Sequence, residues 1–275
     1  MFEKDLNLFR ENDRILLKAK EFLCLSPSLH LRKYISNYNI TFPVKELIPS
    51  GFTAMPSGCA TLEVVMINNK IFTHIEGPTT IPSFADNIDQ VSLMVTIEFK
   101  PAGFYVFTGL NQNEILDDLY ALETINSDFD KSISELIEQA KNIQELINKL
   151  DVLFLKALEA TYQPEITHIL KKINESAGTI TVKQLSDDIH YSERHVNRLF
   201  KQYVGTSVKS FSKIVRINKA FQLLKRPKNS LNIVSDTLSY HDLSHFNNEF
   251  KQICGITPQT YRKNMSDFYN NPIKF

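Results

Sequence analysis

Phe200-Lys201-Gln202 with Gly205 behind it, and Phe250-Lys251-Gln252 with Gly255 behind it, are one phrase written twice near the C-terminus of a 275-residue chain. Each phrase closes an amphipathic segment that opens on a helix-capping residue. The repeat therefore reads as two copies of a helical unit. In the first copy Thr181 caps a short helix burying Val182, Leu185 and Ile189, with small Ser186 where a neighbour must approach closely. The turn His190-Tyr191 leads to Ser192, a good N-cap, and Glu193 suits the positive end of the next helix. That helix buries Val196, Leu199, Phe200 and Tyr203, so Arg194, His195, Asn197, Arg198 and Lys201 face outward.

The second copy aligns through Leu231, Val234, Ser235, Leu238 and Tyr240, then, one residue out of step, from the cap Asp242 through Phe246, Phe250, Lys251 and Gly255. The slip falls in the turn, so both helices are kept and only their connection varies. Its outward residues are Ser244, His245, Asn247, Asn248 and Lys251. The stretch from Ser207 to Leu224 is long enough for a stiff helix joining the units. Two-helix units of this kind can lay the second helix in the major groove of double-stranded DNA, where Arg forks to guanine and Asn pairs with adenine. Two of them on one rigid linker would meet successive major-groove faces, roughly 10 base pairs apart.

Charge supports the division. The chain is neutral overall, but residues 1–163 carry 14 Lys and Arg against 22 Asp and Glu, whereas residues 164–275 carry 17 against 9. A basic half that meets a polyanion is joined to an acidic half with another task. Pro164 ends one helical segment or starts the next, and the boundary is placed there. The two expected domains are 1–163, for effector sensing or dimerisation, and 164–275, for tandem helix-turn-helix DNA binding.

Residues 40–110 hold short β-rich runs, Thr61 to Ile67 and Val91 to Phe99, separated by Asn68-Asn69-Lys70, Gly77-Pro78 and Pro101-Ala102-Gly103. They predict strands of a small mixed sheet or barrel. Helix periodicity follows over Glu114 to Leu122 and over Lys131 to Tyr162, where Ile133, Leu136, Ile137, Ala140, Ile143, Leu146, Ile147 and Leu150 form one stripe, a core face or a dimerisation face. The fold class is α+β, a mixed β-rich N-terminal domain with C-terminal helices, followed by an all-α tandem helix-turn-helix domain.

The C-terminal residues resemble the AraC/XylS transcriptional regulators over about residues 165–265. In the first unit the resemblance rests on Leu185-Ser186, Ser192-Glu193-Arg194-His195-Val196, Arg198-Leu199-Phe200-Lys201, Gly205, Arg216-Ile217 and Ala220. The second contributes Asp242-Leu243-Ser244-His245-Phe246, Glu249-Phe250-Lys251, Gly255-Ile256-Thr257-Pro258 and Tyr261-Arg262. It implies one chain with two recognition helices, about 193–203 and 243–253, usually a transcription activator that contacts RNA polymerase. Carried over by position, Arg194, Asn197 and Arg198 would face bases, Ser244, His245, Asn247 and Asn248 would occupy the matching face, and Lys201 and Lys251 would neighbour phosphates. Ser239-Tyr240 departs from the family's Gly-Phe, and Asn248 stands where Arg is common. The first unit is therefore expected to carry more sequence specificity.

The acidic half says less. Phe99-Lys100-Pro101-Ala102-Gly103-Phe104, with the helix expected after it and Leu29 to Tyr38 as an opening, resembles the N-terminal domain of some members and brings no known ligand. Phe52, Phe72, Phe84, Phe99 and Tyr105 are candidates for an effector pocket, or plain core. The effector residues are unassigned. His241 and His245 stand at i,i+4 but on the reading face, so no metal is expected, and no cofactor either. Ser57-Gly58-Cys59 lacks the partners of a nucleophile, and no phosphate loop or dinucleotide fingerprint occurs. Cys24, Cys59 and Cys254 form no metal clip and read as buried small hydrophobes. No signal peptide or membrane span is legible, and a cytoplasmic, non-enzymatic protein is expected. The expected partners are double-stranded DNA, RNA polymerase, a small-molecule effector and a second copy as homodimer, with no membrane. The rival classes are a DNA-binding module fused to an enzyme such as an alkyl-transfer repair protein, and a regulator whose N-terminal half binds only a partner.

Overall fold

A computed structural model describes residue 9 and residues 11–42, 52–85, 90–158 and 160–263. Its N-terminal half is built on strands β1 (Ile15–Lys18), β2 (Phe22–Leu25), β3 (Ile35–Thr41), β4 (Phe52–Ala54), β5 (Thr61–Ile67), β6 (Lys70–Glu76), β7 (Ser83–Ala85), β8 (Val91–Phe99) and β9 (Leu119–Ala121). Seven of them form one sheet in the order β1-β2-β3-β8-β5-β6-β9, while β4 pairs with β7. All described pairings are antiparallel, which corrects the expectation of a mixed sheet. The physical reason lies in the connections. Asn68 and Asn69 both take positive φ, the two-residue hairpin turn that joins β5 to β6 without a crossover.

Alternation decides which face of the sheet is covered. Tyr38, Ile40, Leu62, Val64, Ile75, Val95 and Ile97 point to one side and are buried there. The helices α1 (Gly103–Thr108), α2 (Leu122–Ile125), α3 (Ser127–Gln139) and α4 (Ile143–Lys156) supply the cover. Phe154 of α4 centres it, with its ring 5.0 Å from Phe107, 5.5 Å from Phe129 and 5.9 Å from Phe99. Beneath lies a buried charge pair: Arg14 Nη2 is 2.9 Å from Asp151 Oδ2, and Asp151 Oδ1 accepts from the Tyr38 hydroxyl at 3.0 Å and from the Ser28 amide at 3.1 Å. Burial, then Asp151, push the Tyr38 phenol up, so it stays a donor.

Two helical expectations need correction. Over Glu114 to Leu122 the chain makes a 3-10 turn, Gln112–Ile115, then strand β9, and becomes helical only at Leu122. The break is Asp117, at positive φ, whose carboxylate accepts from the Thr80 hydroxyl at 2.6 Å and so ties this segment to the loop before β7. The stripe from Lys131 onward is buried throughout as read, but it belongs to two helices rather than one. Ala140 turns extended and Asn142 caps α4, its side chain accepting from the Glu145 amide at 2.9 Å.

The C-terminal half is helical: α5 (Pro164–Glu175), α6 (Val182–Ile189), α7 (Glu193–Val204), α8 (Val208–Leu224), α9 (Leu231–Thr237), α10 (Leu243–Cys254) and α11 (Pro258–Lys263). Pro164 takes the first position of α5, where its missing N–H costs nothing. Ile169, Leu185, Phe200 and Phe211 are among the residues of one core; Ile217, Val234, Phe246 and Phe250 are among those of another, with α8 contributing to both. None of the helices among the described residues is long and apolar enough to cross a membrane.

Asp151→Ala should strand the buried Arg14 guanidinium and cost about 3–5 kcal/mol of stability. Urea unfolding checks this, and a loss below about 1 kcal/mol would show that Arg14 finds water or another partner.

Candidate nucleic-acid interface

Each two-helix unit is assembled by local chemistry the sequence displays. Thr181 and Gln184 form a reciprocal capping box at the start of α6, and His190 ends it in the left-handed conformation. Ser192 caps α7 through the His195 amide at 3.2 Å, and Gly205 ends it at φ 93°. In the second unit Ser230 caps α9 and Asp242 caps α10, its oxygen 2.7 Å from the His245 amide. That amide, then His241, hold the Asp242 carboxyl below its ordinary range. Gly255 closes α10 as Gly205 closes α7.

The outward residues fall into two groups. Arg194, Arg198 and Lys201 on α7 and Ser244, His245, Asn248 and Lys251 on α10 are exposed; His195, Asn197 and Asn247 are half-buried. Asn197 is occupied at both ends: its Nδ2 donates to the Glu193 carbonyl at 3.1 Å, and its Oδ1 accepts from the Val208 amide at 3.3 Å. It clamps α7 to the start of α8. His195 lies 4.5 Å from the Tyr191 ring, and its Nδ1 is 3.3 Å from Arg198 Nη2.

Helix α8 has 17 residues, about 26 Å of axis, and carries the interaction that links the units. Glu249, 5% exposed, stands on the inner side of α10 between Phe246 and Phe250. Its carboxylate accepts from the Tyr240 hydroxyl at 2.8 Å and lies 3.3 Å from Lys213 Nζ and 3.7 Å from Arg216 Nη1, both on α8. Arg216 also donates to the Gly178 carbonyl of the first unit at 2.8 Å and places its guanidinium 5.1 Å from the Tyr240 ring centroid. Tyr240 thus finds the partner its hydroxyl needs; burial first, then Glu249, push its phenol up. The sequence contained the signal for this group, an acidic residue at a core-facing helix position, but did not say what it meets.

The N-terminal half touches both units along one rim. The Tyr105 ring is 4.5 Å from Tyr203, and Ala102 is buried in the first unit's core. A methyl on Gly205 would lie 2.9 Å from both the Gln112 carbonyl oxygen and Pro78 Cγ, and one on Gly255 would lie 3.8 Å from Pro82 Cγ. The matched glycines of the repeat therefore face two prolines of a single segment, residues 77–82, Gly205 tightly against Pro78 and Gly255 more loosely beside Pro82. Met55 packs on the second core. Gly58 faces Phe211, where a Cβ would approach to 2.9 Å, so the Ser57-Gly58-Cys59 turn is a packing contact, with Ser57 Oγ bonded to the Cys59 carbonyl at 3.0 Å.

Of the aromatic candidates for an effector pocket, Phe99 is in the helix-covered core, Tyr105 is at the rim, and Phe72 is 44% exposed on the opposite face of the sheet. The side chains of Phe52 and Phe84 lie outside the described residues. That opposite face also holds Glu98, which accepts from Asn37 at 3.0 Å and Asn39 at 3.3 Å; the Oδ1 atoms of both buried amides have no hydrogen-bond partner. Among the described residues no three His, Cys, Asp or Glu gather as metal ligands.

The C-terminal helices are also the part of the chain that matches known proteins most. Residues 185–264 match the family model for a helix-turn-helix domain. YisR, an uncharacterized HTH-type transcriptional regulator of Bacillus subtilis (strain 168), is 34% identical over 86 residues, 31% of this chain and 30% of that protein. The lactose operon transcription activator of Staphylococcus xylosus is 25% identical over 203 residues, 62% of this chain and 72% of its own length. A solved transcriptional regulator with an AraC-type DNA-binding domain from Chromobacterium violaceum aligns with 38% of this chain and 96% of its own, at 24% identity and a TM-score of 0.35. Over three of the curated relatives matched, YisR included, the chain spans 30–60% of the relative's own length.

Glu249→Ala would leave Arg216 and the Tyr240 hydroxyl without their shared acceptor. A loss of about 3–5 kcal/mol is expected, concentrated in the second unit, so hydrogen exchange should accelerate over α9 and α10 more than over α6. Uniform acceleration across both units would contradict that placement.

Proposed function

We propose, since residues 185–264 match the family model for a helix-turn-helix domain and carry the motifs that resemble the AraC type, that this chain is a sequence-specific DNA-binding transcription regulator, acting as an activator. Residues 164–275 form the DNA-binding domain and set α7 and α10 into successive major grooves of double-stranded DNA. The observation that carries the reading is the pair of exposed polar faces on two helices with matching caps and matching glycine ends, bridged through α8 by Arg216 and Glu249. The activator role is supported by the name of the Staphylococcus xylosus relative, and RNA polymerase is the protein partner such a role would take.

Residue roles divide by geometry. Arg194 and Arg198 read base edges, since both are exposed and a guanidinium can fork to guanine. Lys201 and Lys251, at the ends of their helices, neutralise phosphates. Asn197 and His195 act closer to the helix, Asn197 by fixing its docking to α8. On α10 the readers Ser244, His245, Asn247 and Asn248 include no fixed cation, so the first unit contributes more of the specificity.

Residues 1–163 form the regulatory domain, which acts through its rim contacts with both units. Ligand sensing is favoured by the two buried, unpartnered amide oxygens of Asn37 and Asn39; homodimerisation is favoured by Val152 and Leu155, exposed on α4. An alkyl-transfer or other thiol-dependent enzyme is disfavoured, because Cys24, Cys59 and Cys254 are all buried. Burial, with Glu98 second, pushes the Cys24 thiol up to about 12, and burial also raises Cys254, so neither is a thiolate at neutral pH.

Selection of a preferred operator from random duplexes tests the whole reading: two half-sites about one helical turn apart are expected, with more information under the first. Equal information in the two halves would overturn the assigned asymmetry. On the selected operator, Arg194→Ala and Arg198→Ala should each cost about 1–3 kcal/mol and relax specificity, whereas Lys201→Ala should weaken all sequences alike and lower the salt slope by about one.

A further inference from the structure

The 3-10 turn Gln112–Ile115 and the C-terminal half of α7 border an open cleft of about 280 Å³ lined by Asn111, Asn113, Arg198, Lys201 and Gln202. Every lining side chain carries N–H donors, two of the five are cations, and none is a carboxylate. The Asn111 amide is oriented by its own turn: Oδ1 accepts from the Asn113 backbone amide at 3.1 Å, which leaves Nδ2 as the free end. Asn113, Arg198 and Lys201 are exposed. The turn is not held there by a tether. The Gln112 carbonyl and Pro78 lie against Gly205, and Tyr105 packs on Tyr203, so close contact fixes the two amides relative to the two cations.

A cleft lined by two cations and three amides, with no carboxylate, fits a group that offers only acceptors and negative charge. It also lies beside the end of α7, where a recognition helix leaves the major groove and the backbone passes. We propose that this cleft takes a phosphodiester of the DNA backbone on Lys201, Asn111 and Asn113, with Arg198 left to the base edges, which makes the two asparagines of the N-terminal half part of the DNA interface. The inference rests on α7 being a reading helix. Glu114, exposed on the same turn, opposes the phosphate and limits the gain. Because the amides are neutral, they add hydrogen bonds without releasing further counterions.

The test measures fluorescence anisotropy of the full-length protein on its selected operator across a salt series. Asn113→Ala alone, and with Asn111→Ala, should weaken binding about three- to tenfold, a modest hydrogen-bond loss, with the salt slope unchanged. Asn113→Lys should tighten binding and steepen the slope by about one; being at an exposed position, it remains informative even if loss of the Asn111 cap loosens the turn. Tighter binding by the alanine variants would mean that the turn shields α7, and overturns the proposal. No change in them, while Lys201→Ala weakens binding, overturns the proposal and leaves α7 as a reader. No effect of Lys201→Ala either removes both. Inorganic phosphate that binds the DNA-free protein through the same asparagines, with operator binding unaffected by their removal, would make this a small-anion site and also overturn it.

Discussion

Glu249 is the residue on which the arrangement of the two helix-turn-helix units depends. A carboxylate taken out of water loses several kcal/mol of solvation unless charge and hydrogen bonds replace it. Here the replacements come from Tyr240 in its own unit and from Lys213 and Arg216 on the connecting helix. Arg216 reaches on to the Gly178 carbonyl. A purely apolar contact between the units would tolerate sliding; a buried carboxylate that must keep one hydroxyl donor and two cations beside it tolerates less, and it holds α10 against α8.

The N-terminal half solves a comparable problem in another way. Asp151 on α4 holds Arg14 ahead of β1 and the Tyr38 hydroxyl on β3, which seats the helices on one face of the sheet. That seating leaves the opposite face to Asn37, Asn39 and Glu98. It also sends the 3-10 turn and residues 77–82 to the rim where the C-terminal helices dock.

Much of the C-terminal half was legible because its signals are local. Thr181, Ser192 and Asp242 act on amides within three residues of themselves, and the apolar spacing fixes which side of each helix is covered. Elsewhere the deciding contacts join distant parts of the chain. The stripe from Ile133 to Leu150 keeps helical spacing straight through Ala140 and Asn142, so periodicity alone could not reveal that the helix stops and restarts. Asp117 breaks its segment by reaching Thr80, and Glu249 looks like one more motif letter until Arg216 is beside it. Asn197 has the residue type of an adenine reader, yet its amide is committed to the backbone of Glu193 and Val208.

Gly205 packs against Pro78, and Gly255 ends its helix beside Pro82, within reach of an added methyl, so the two helical units face a common segment only six residues long. Had each unit faced its own loop, the N-terminal half could act on either one alone. With a common segment, and with Arg216 and Glu249 locking one unit to the other, the pair has few independent degrees of freedom. In the proposed regulator, displacing residues 77–82 would act on both helices at once, leaving the N-terminal half one lever rather than two.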